Sequence, residues 1–271
     1  MINFNKKEFY SIDDLLNIMQ MLRSEDGCPW DRVQSHESIK KDFVEEVYEA
    51  IEAIDLGDID LLREELGDVL LQIVFHCQIE AEANRFSFDD VCDEICKKLI
   101  IRHPHVFGDV SVSDADEVLE NWDNIKKETK GQESYSDTLK SVAKSLPALM
   151  RAQKIGNRAM RAGMDFKCCE DTISCVKSEL SELEDAIKIG NLESIEEELG
   201  DLIFSCVNTA RHLKIDAEQA LVKSTDKFIR RFEETEKNIR LKGRDIKSLS
   251  IDEIDIYWRE AKKKLIKKIQ E

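Results

Sequence analysis

The sequence is poor in the residues that end strands and form turns. Its 271 residues include only three prolines and ten glycines, and aromatic residues make up 7%. This composition provides too few turns for a many-stranded sandwich, whereas 36% charged residues suits long amphipathic helices. We therefore predict an all-α fold, arranged in one or two domains of ordinary size.

Positive charge and long apolar runs are also scarce. Lysine and arginine number 40 against 57 aspartates and glutamates, which gives a net charge of −17. Nucleic acids and anionic membranes recruit clustered cations, so neither is an expected partner. No stretch approaches the roughly 18 apolar residues of a membrane span, and the N-terminus shows no apolar signal-peptide core. The eight cysteines contain no C-x-x-C pair, which predicts reduced core cysteines in a cytoplasmic protein.

An internal repeat is the most informative feature of the chain. Residues 46–68 (EVYEAIEAIDLGDIDLLREELGD) and 179–201 (ELSELEDAIKIGNLESIEEELGD) align without a gap at an offset of 133. Further along, the two copies keep the same spacing from a helix start to a lysine and an arginine, and the same spacing from a tryptophan to a second lysine. These residues are Lys98, Arg102, Trp122 and Lys126 in the first copy, and Lys227, Arg231, Trp258 and Lys262 in the second. The chain is thus a duplicated helical unit.

Local signals place the ends of the two halves and of several helices. Four serines precede an acid by three residues and predict helix starts, namely Ser11, Ser87, Ser113 and Ser250. The polar stretch at residues 130–134 has the composition of a linker. We expect helical domains at residues 1–130 and 131–271, each with about five helices.

The repeated segment predicts a helical hairpin that gathers carboxylates. Taking Gly57 as the turn, Glu49 and Glu65 lie eight residues away on either side, and Glu46 and Asp68 lie eleven away. Residues equidistant from the turn meet at one height, and a spacing of three keeps two side chains on one face. The second copy repeats this around Gly190, with Glu182 and Glu198 at eight and Glu179 and Asp201 at eleven.

Such a quartet has a functional and a structural interpretation. Four converging carboxylates repel one another and raise their pKa values unless a cation lies among them, and oxygen ligands alone favour Mg²⁺ or Mn²⁺ over zinc. Acidic pairs on helices are more often a solvated face. Gly67 and Gly200 favour function, because glycine inside a helix costs about 1 kcal/mol and implies a packing or ligand-approach reason. Apolar residues of helical period, from Val47 to Ile54 and from Leu62 to Ile73, predict a packed seam between the arms.

Basic and aromatic residues predict the rest of the site. Lys227, Arg230 and Arg231 share a helix face, and such a cluster beside a metal site suggests a phosphate chain bridging both. The alternative is pairing with neighbouring acids, which is the commoner role for a residue such as Lys98. Trp258 either stacks on a base or fills the core. The sequence contains no Glu-x-x-His motif, no Walker A loop, no G-x-S-x-G motif and no complete EF-hand loop. It therefore indicates no other known class of carboxylate-based metal site or nucleotide-binding protein.

The combination of motifs resembles the two-domain MazG nucleoside triphosphate pyrophosphohydrolases. E-x-x-E, fifteen residues and E-x-x-D occur twice, together with CPWD at 28–31, EEVYE at 45–49, RHPHVFG at 102–108 and VNTARHL at 207–213. The resemblance covers nearly the whole chain. It implies an all-α homodimer with Mg²⁺-dependent hydrolysis of nucleoside triphosphates to monophosphate and pyrophosphate. A narrower dUTP or dCTP diphosphatase, and a catalytically idle nucleotide-binding module, remain as alternatives.

Residue by residue, the resemblance implies roles for both copies. Glu179, Glu182, Glu198 and Asp201 would bind Mg²⁺, with Glu197 beside them, and Glu182 or Glu197 would accept the proton of the attacking water. Lys227 and Arg231 would bind the triphosphate, next to Arg230, while Trp258 and Lys262 would contact the nucleotide. The first copy keeps Glu46, Glu49, Glu65 and Asp68 as metal ligands. Ser178 departs from the pattern, because the first copy has Glu45 there.

The two copies are not expected to contribute equally. Lys227, Arg230 and Arg231 form a denser cationic face than Lys98 and Arg102, and Pro104 is expected to end the first copy's helix just beyond Arg102. The loop residues Trp30 and Phe107 would then serve packing or dimer contacts. We predict the second copy to be the main catalyst.

Overall fold

The computed structural model describes residues 4–112, 114, 118 and 134–270, with side chains up to residue 266. Within these residues the chain forms α-helices and one 3₁₀-helix at Ile246–Ser248, and no strand. The predicted all-α class is confirmed. The helices are α1 Ile12–Arg23, α2 Pro29–Val33, α3 His36–Leu56, α4 Ile59–Glu82, α5 Phe88–Arg102, α6 Pro104–Phe107, α7 Tyr135–Lys140, α8 Ala148–Arg161, α9 Cys169–Ile189, α10 Leu192–His212, α11 Ala217–Leu241 and α12 Ile251–Gln270.

The chain divides into two compact units, residues 1–126 and 127–271. The predicted boundary between residues 130 and 131 lies outside the described residues and stays a prediction. Trp122, Lys126 and the predicted helix start at Ser113 also lie outside them. Among the described helices, none is both long enough and apolar enough to cross a membrane.

Unit 1 is built on the hairpin of α3 and α4. Gly57 ends α3 in the left-handed conformation, with φ of +67°, and Asp58 caps α4 through the backbone amides of its first turn. Helix α1 packs on α4, and the core between them contains Met19, Ile39, Val74 and Phe75. The hairpin turn at Gly57 is therefore as predicted.

The predicted apolar seam of this hairpin is only partly correct. Val47, Ile54 and Leu66 are 37%, 60% and 53% exposed, whereas the small residues Ala50 and Ala53 are buried between the arms. The apolar residues of the pattern are spread over a wider part of each helix surface than the contact covers, because two closely packed helices bury only a narrow stripe of each other. Other residues of the pattern, such as Ile51 and Leu62, are half-buried.

Unit 2 repeats the hairpin with α9 and α10. Gly190 ends α9 with φ of +79°, and Asn191 caps α10. Helix α8 packs across α10, and α12 packs along α11. The close approach of α8 to α10 depends on the buried Gly156, since a Cβ there would lie 2.7 Å from Asn208 Oδ1 and 3.0 Å from Arg211 Nε.

Several local predictions are confirmed and one needs correction. Ser11 and Ser87 form capping boxes with Asp14 and Asp90, and Ser250 and Glu253 exchange the same bonds. Helix α5 ends at Arg102, before Pro104. All eight cysteines are free, but the prediction of core cysteines is wrong for Cys96 and Cys206. Their helices are amphipathic, and both residues fall on the exposed side.

Candidate functional site

Each hairpin brings three glutamates together. In unit 1, carboxylate oxygens of Glu46 and Glu49 from α3 and of Glu65 from α4 all lie within 4.8 Å of one another. In unit 2, Glu179 and Glu182 from α9 and Glu198 from α10 form the same trio. The convergence follows from equal spacing about the glycine turns. We call the two groups the first quartet (Glu46, Glu49, Glu65, Asp68) and the second quartet (Glu179, Glu182, Glu198, Asp201).

The predicted convergence of four carboxylates is only partly correct, because Asp68 and Asp201 lie outside the two groups of three and act on them through their charge. Burial raises the pKa of Glu46, and the negative charges of Asp68, Glu49 and Glu65 raise it further. The pKa of Glu65 is raised by burial, then by Glu49 and Asp68. Repulsion among the carboxylates is therefore present in the first quartet.

The second quartet shows the same effect. Burial raises the pKa of Glu198, followed in order by the charges of Glu182, Asp201, Glu179 and Glu197. Glu197 is exposed and has the smallest effect of these neighbours. A divalent cation between the two arms would remove this repulsion, so the donor set and its electrostatics fit a hard metal ion.

Two glutamates of the second quartet accept hydrogen bonds from the preceding turn of α9. Ser178 Oγ lies 2.9 Å from Glu182 Oε1, and Cys175 Sγ lies 3.6 Å from Glu179 Oε1. Sequence reasoning noted Ser178 as a departure from the pattern but treated Cys175 as a core residue. The signal for both was their spacing, since each precedes its glutamate by four residues on one helix.

The basic residues lie on α11 as predicted. Lys227 and Arg230 are exposed and Arg231 is half-buried, at positions that share a helix face. Among the described residues none of the three forms an ion pair, nor does Lys98, whereas its neighbour Lys97 pairs with Asp93. The alternative in which acids of the same unit neutralise these cations is therefore not observed in the described part of the chain.

Trp258 lies beside this basic helix. Its ring is half-buried, with its centroid 5.1 Å from that of Phe228, the residue after Lys227. Phe228 itself is 57% exposed. Lys262 lies one turn further along α12 and is exposed. The indole thus packs against an open aromatic surface rather than in a closed core.

Gly67, Gly200 and the aromatic residues Trp30 and Phe107 do not pack inside their units. The two aromatics lie on the short helices α2 and α6, not in loops as predicted. A Cβ on Gly67 or Gly200 would meet no described atom within 4 Å. Trp30 and Phe107 are 59% and 62% exposed. Packing within the described chain therefore does not explain these four residues. The remaining explanation is contact with a ligand or with another protein molecule.

Comparison with known proteins agrees with this geometry. The family model of the MazG nucleotide pyrophosphohydrolase domain matches residues 34–107 and 169–235, which include both quartets and the basic face of α11. A nucleoside triphosphate pyrophosphohydrolase of Escherichia coli K12 is 42% identical over 258 residues, covering 94% of this chain and 98% of the relative.

Two further relatives carry similar names. The nucleoside triphosphate pyrophosphohydrolase/pyrophosphatase MazG of Thermotoga maritima is 43% identical over 250 residues, covering 92% of this chain and 95% of the relative. A nucleoside triphosphate pyrophosphohydrolase of Mycobacterium tuberculosis is 38% identical over 165 residues, covering 60% of this chain and 49% of the relative. The chain therefore belongs to the MazG family of nucleotide pyrophosphohydrolases, as its motifs predict.

Proposed function

We propose that the chain hydrolyses nucleoside triphosphates to nucleoside monophosphate and pyrophosphate, with the second quartet as its main active site. The observation that carries this proposal is the convergence of Glu179, Glu182 and Glu198 within 4.8 Å on a hairpin of the matched family. The free cations on α11 supply the charge that such a substrate requires. The second quartet itself contains no cationic side chain. A bound metal ion and the cations of α11 would therefore each bind part of the triphosphate.

Enzymes of this family generally require a divalent metal. Here we propose Mg²⁺, with Mn²⁺ as a substitute, because the carboxylate oxygens of the second quartet are hard ligands with no imidazole or thiolate among them. The metal would neutralise phosphate charge and lower the pKa of a bound water. The first quartet has the same ligand types and is proposed to bind the same cation.

The protein side chains contribute binding and proton transfer. Lys227 and Arg231, with Arg230 beside them, would hold the triphosphate and stabilise charge on the departing pyrophosphate. Glu182 or Glu197, both of which are exposed, would accept the proton of the attacking water. Trp258 and Lys262 would contact the base and sugar, with Phe228 supporting the indole.

We also propose a homodimer in the cytoplasm, where nucleotides and reduced thiols occur together. Apolar side chains remain exposed on both hairpins, including Val44 and Tyr48 on α3 and Leu199 and Ile203 on α10. The open space beside Gly67 and Gly200 leaves room for another helix. A two-fold contact between copies is the commonest way to cover such faces.

A single assay tests the proposed reaction against its alternatives. The protein is incubated with each of the eight common NTPs and dNTPs and Mg²⁺, and pyrophosphate is measured separately from orthophosphate. We expect pyrophosphate from several substrates. Turnover restricted to dUTP or dCTP would identify the narrower diphosphatase, and nucleotide binding without turnover an idle module. Orthophosphate as the sole product would contradict the proposed reaction.

A further inference from the structure

Two uncharged donors precede two of the proposed metal ligands by one helical turn. Cys175 Sγ lies 3.6 Å from Glu179 Oε1, and Ser178 Oγ lies 2.9 Å from Glu182 Oε1. An ionised carboxylate only accepts hydrogen bonds, so the thiol and the hydroxyl are the donors. Each bond engages one oxygen of its glutamate and leaves Oε2 for a cation.

A third polar side chain connects this arrangement to the other arm of the hairpin. Ser205 of α10 is 6% exposed, and its Oγ lies 3.4 Å from Cys175 Sγ. Because the single thiol proton is directed at Glu179, the Ser205 hydroxyl donates to the sulfur. Cys175 and Ser205 both lie fifteen residues from Gly190, so they form the next layer beyond Glu179 and Asp201.

The first copy has different chemistry at the corresponding positions. Asp42 and Glu45 replace Cys175 and Ser178 at the offset of 133, and Gln72 replaces Ser205. Gln72 is 8% exposed, and its Oε1 has no hydrogen-bond partner among the described residues. Two acidic residues therefore stand in the first copy at the positions where the second copy has two neutral donors.

We infer that Cys175 and Ser178 are positioning residues that hold Glu179 and Glu182 in the orientation that binds metal, with Ser205 supporting Cys175. This inference rests on the proposed role of the second quartet. Hydrogen bonds from outside the coordination sphere fix the orientation of a metal ligand, and their loss typically lowers metal affinity by about 10- to 100-fold. Neutral donors also achieve this without adding a further acidic group beside the carboxylates.

Metal binding without nucleotide provides the direct test. Full-length protein carrying Glu65→Ala and Asp68→Ala serves as the parent, so that the first quartet is disabled. Mn²⁺ is titrated into the parent, and free Mn²⁺ is followed by its electron paramagnetic resonance signal. We expect Cys175→Ala and Ser178→Ala each to raise the Mn²⁺ Kd by about tenfold. Cys175→Ser and Ser178→Thr keep a donor and should stay within about threefold of the parent.

Matched controls remove a similar group from the same hairpin. Cys206→Ala removes an exposed thiol of α10, and Ser174→Ala removes a hydroxyl that donates to the Glu170 carbonyl on α9. Both should leave the Kd unchanged within twofold. Circular dichroism and the melting temperature identify any variant that fails to fold, and the donor-keeping variants then decide the matter alone.

Two results would overturn the inference. One is an unchanged Mn²⁺ Kd in both folded alanine variants. The other is a Cys175→Ser or Ser178→Thr variant that binds as weakly as its alanine counterpart, which would assign the effect to volume rather than donation. Activity adds an independent readout, since the Mg²⁺ concentration for half-maximal turnover should rise while the rate at saturating Mg²⁺ is largely kept. Absence of any turnover in wild-type protein would refute the proposed function and leave the Mn²⁺ comparison valid.

Discussion

At the scale of single residues, a polar cluster lies at the open end of the first hairpin and contains His36, His76, Glu80 and Arg85. His36 Nδ1 lies 2.7 Å from His76 Nδ1, and the ring planes differ by 14° with centroids 4.9 Å apart. The separation of the centroids equals the nitrogen–nitrogen distance plus about one ring radius for each imidazole. The two rings therefore meet edge to edge. Only one proton fits between the two nitrogens. His36 Nε2 also bonds the Glu80 carboxylate, which pairs with Arg85.

This cluster predicts a pH dependence of stability. Burial, and then His36, lower the pKa of His76 below 6.5, so the unfolded chain takes up this proton first. Stability from His76 is therefore complete above pH 6.5 and decreases as the pH falls below it. Glu80, whose pKa is lowered to about 2 by Arg85 and His36, stays ionised throughout that range.

The measurement is the melting temperature at pH 7.5 and pH 5.5, for wild type and for His76→Phe. Phenylalanine keeps the ring beside Phe43, whose centroid is 5.6 Å from that of His76, and removes the titrating group. We expect the melting temperature of the variant to decrease less than that of wild type when the pH is lowered from 7.5 to 5.5. Equal losses would show that the histidine pair has no part in the dependence.

At the scale of elements, α10, which carries Glu198 and Asp201, packs against α8 and is tied to the loop that follows α8. Arg211, 8% exposed in the last turn of α10, forms an ion pair through both terminal nitrogens with Asp165 in the α8–α9 loop. Its Nε also donates to Asn208 at 3.2 Å. The sequence motif VNTARHL is thus explained in part as a clamp that fixes the helix carrying Glu198 and Asp201.

Gly156→Ala tests this packing. The new Cβ would lie 2.7 Å from Asn208 Oδ1, and both Asn208 and Arg211 are held by hydrogen bonds. Overpacking costs about 1–3 kcal/mol, against which alanine regains about 1 kcal/mol of helix propensity. We expect a net loss of up to about 2 kcal/mol in the free energy of unfolding by urea titration. A stabilised variant would mean that α8 and α10 pack less closely than described.

At the scale of the whole molecule, duplication raises the question of which quartet works. We expect Glu198→Ala with Asp201→Ala to abolish most turnover, on the order of a thousandfold or more, because two metal ligands are lost at the main site. Glu65→Ala with Asp68→Ala should leave a substantial fraction. Measuring pyrophosphate release by both double mutants, with their helicity verified as unchanged, shows which quartet is the main active site. Equal losses would mean that both copies catalyse or that they are obligately coupled.

The proposed dimer is tested by light scattering at micromolar concentration. We expect a mass of twice the 31.3 kDa of one chain, because the exposed apolar residues of α3 and α10 need cover. Replacing Leu199, 46% exposed, by glutamate should shift the protein toward the monomer. A wild-type monomer would refute the proposal.

Sequence by itself determined the helical class, the duplication and the pairing of carboxylates, because these follow from spacing along regular helices. Equal distances from Gly57 and Gly190 suffice to place Glu49 opposite Glu65 and Glu182 opposite Glu198. The helix ends at Ser11, Ser87 and Arg102 were equally predictable, since caps and proline act on their immediate neighbours.

Only the tertiary structure decided which side of each helix is covered and what touches the ligands. The apolar period of α3 and α4 did not show that Val47 and Leu66 stay exposed while Ala50 and Ala53 are buried. Nor did it show that the thiol of Cys175 faces Glu179 and Ser205, or that His36 and His76, forty residues apart, lie within hydrogen-bond distance through their Nδ1 atoms. Such contacts depend on how the helices are rotated about their axes, which the packing of the whole unit sets and local sequence does not.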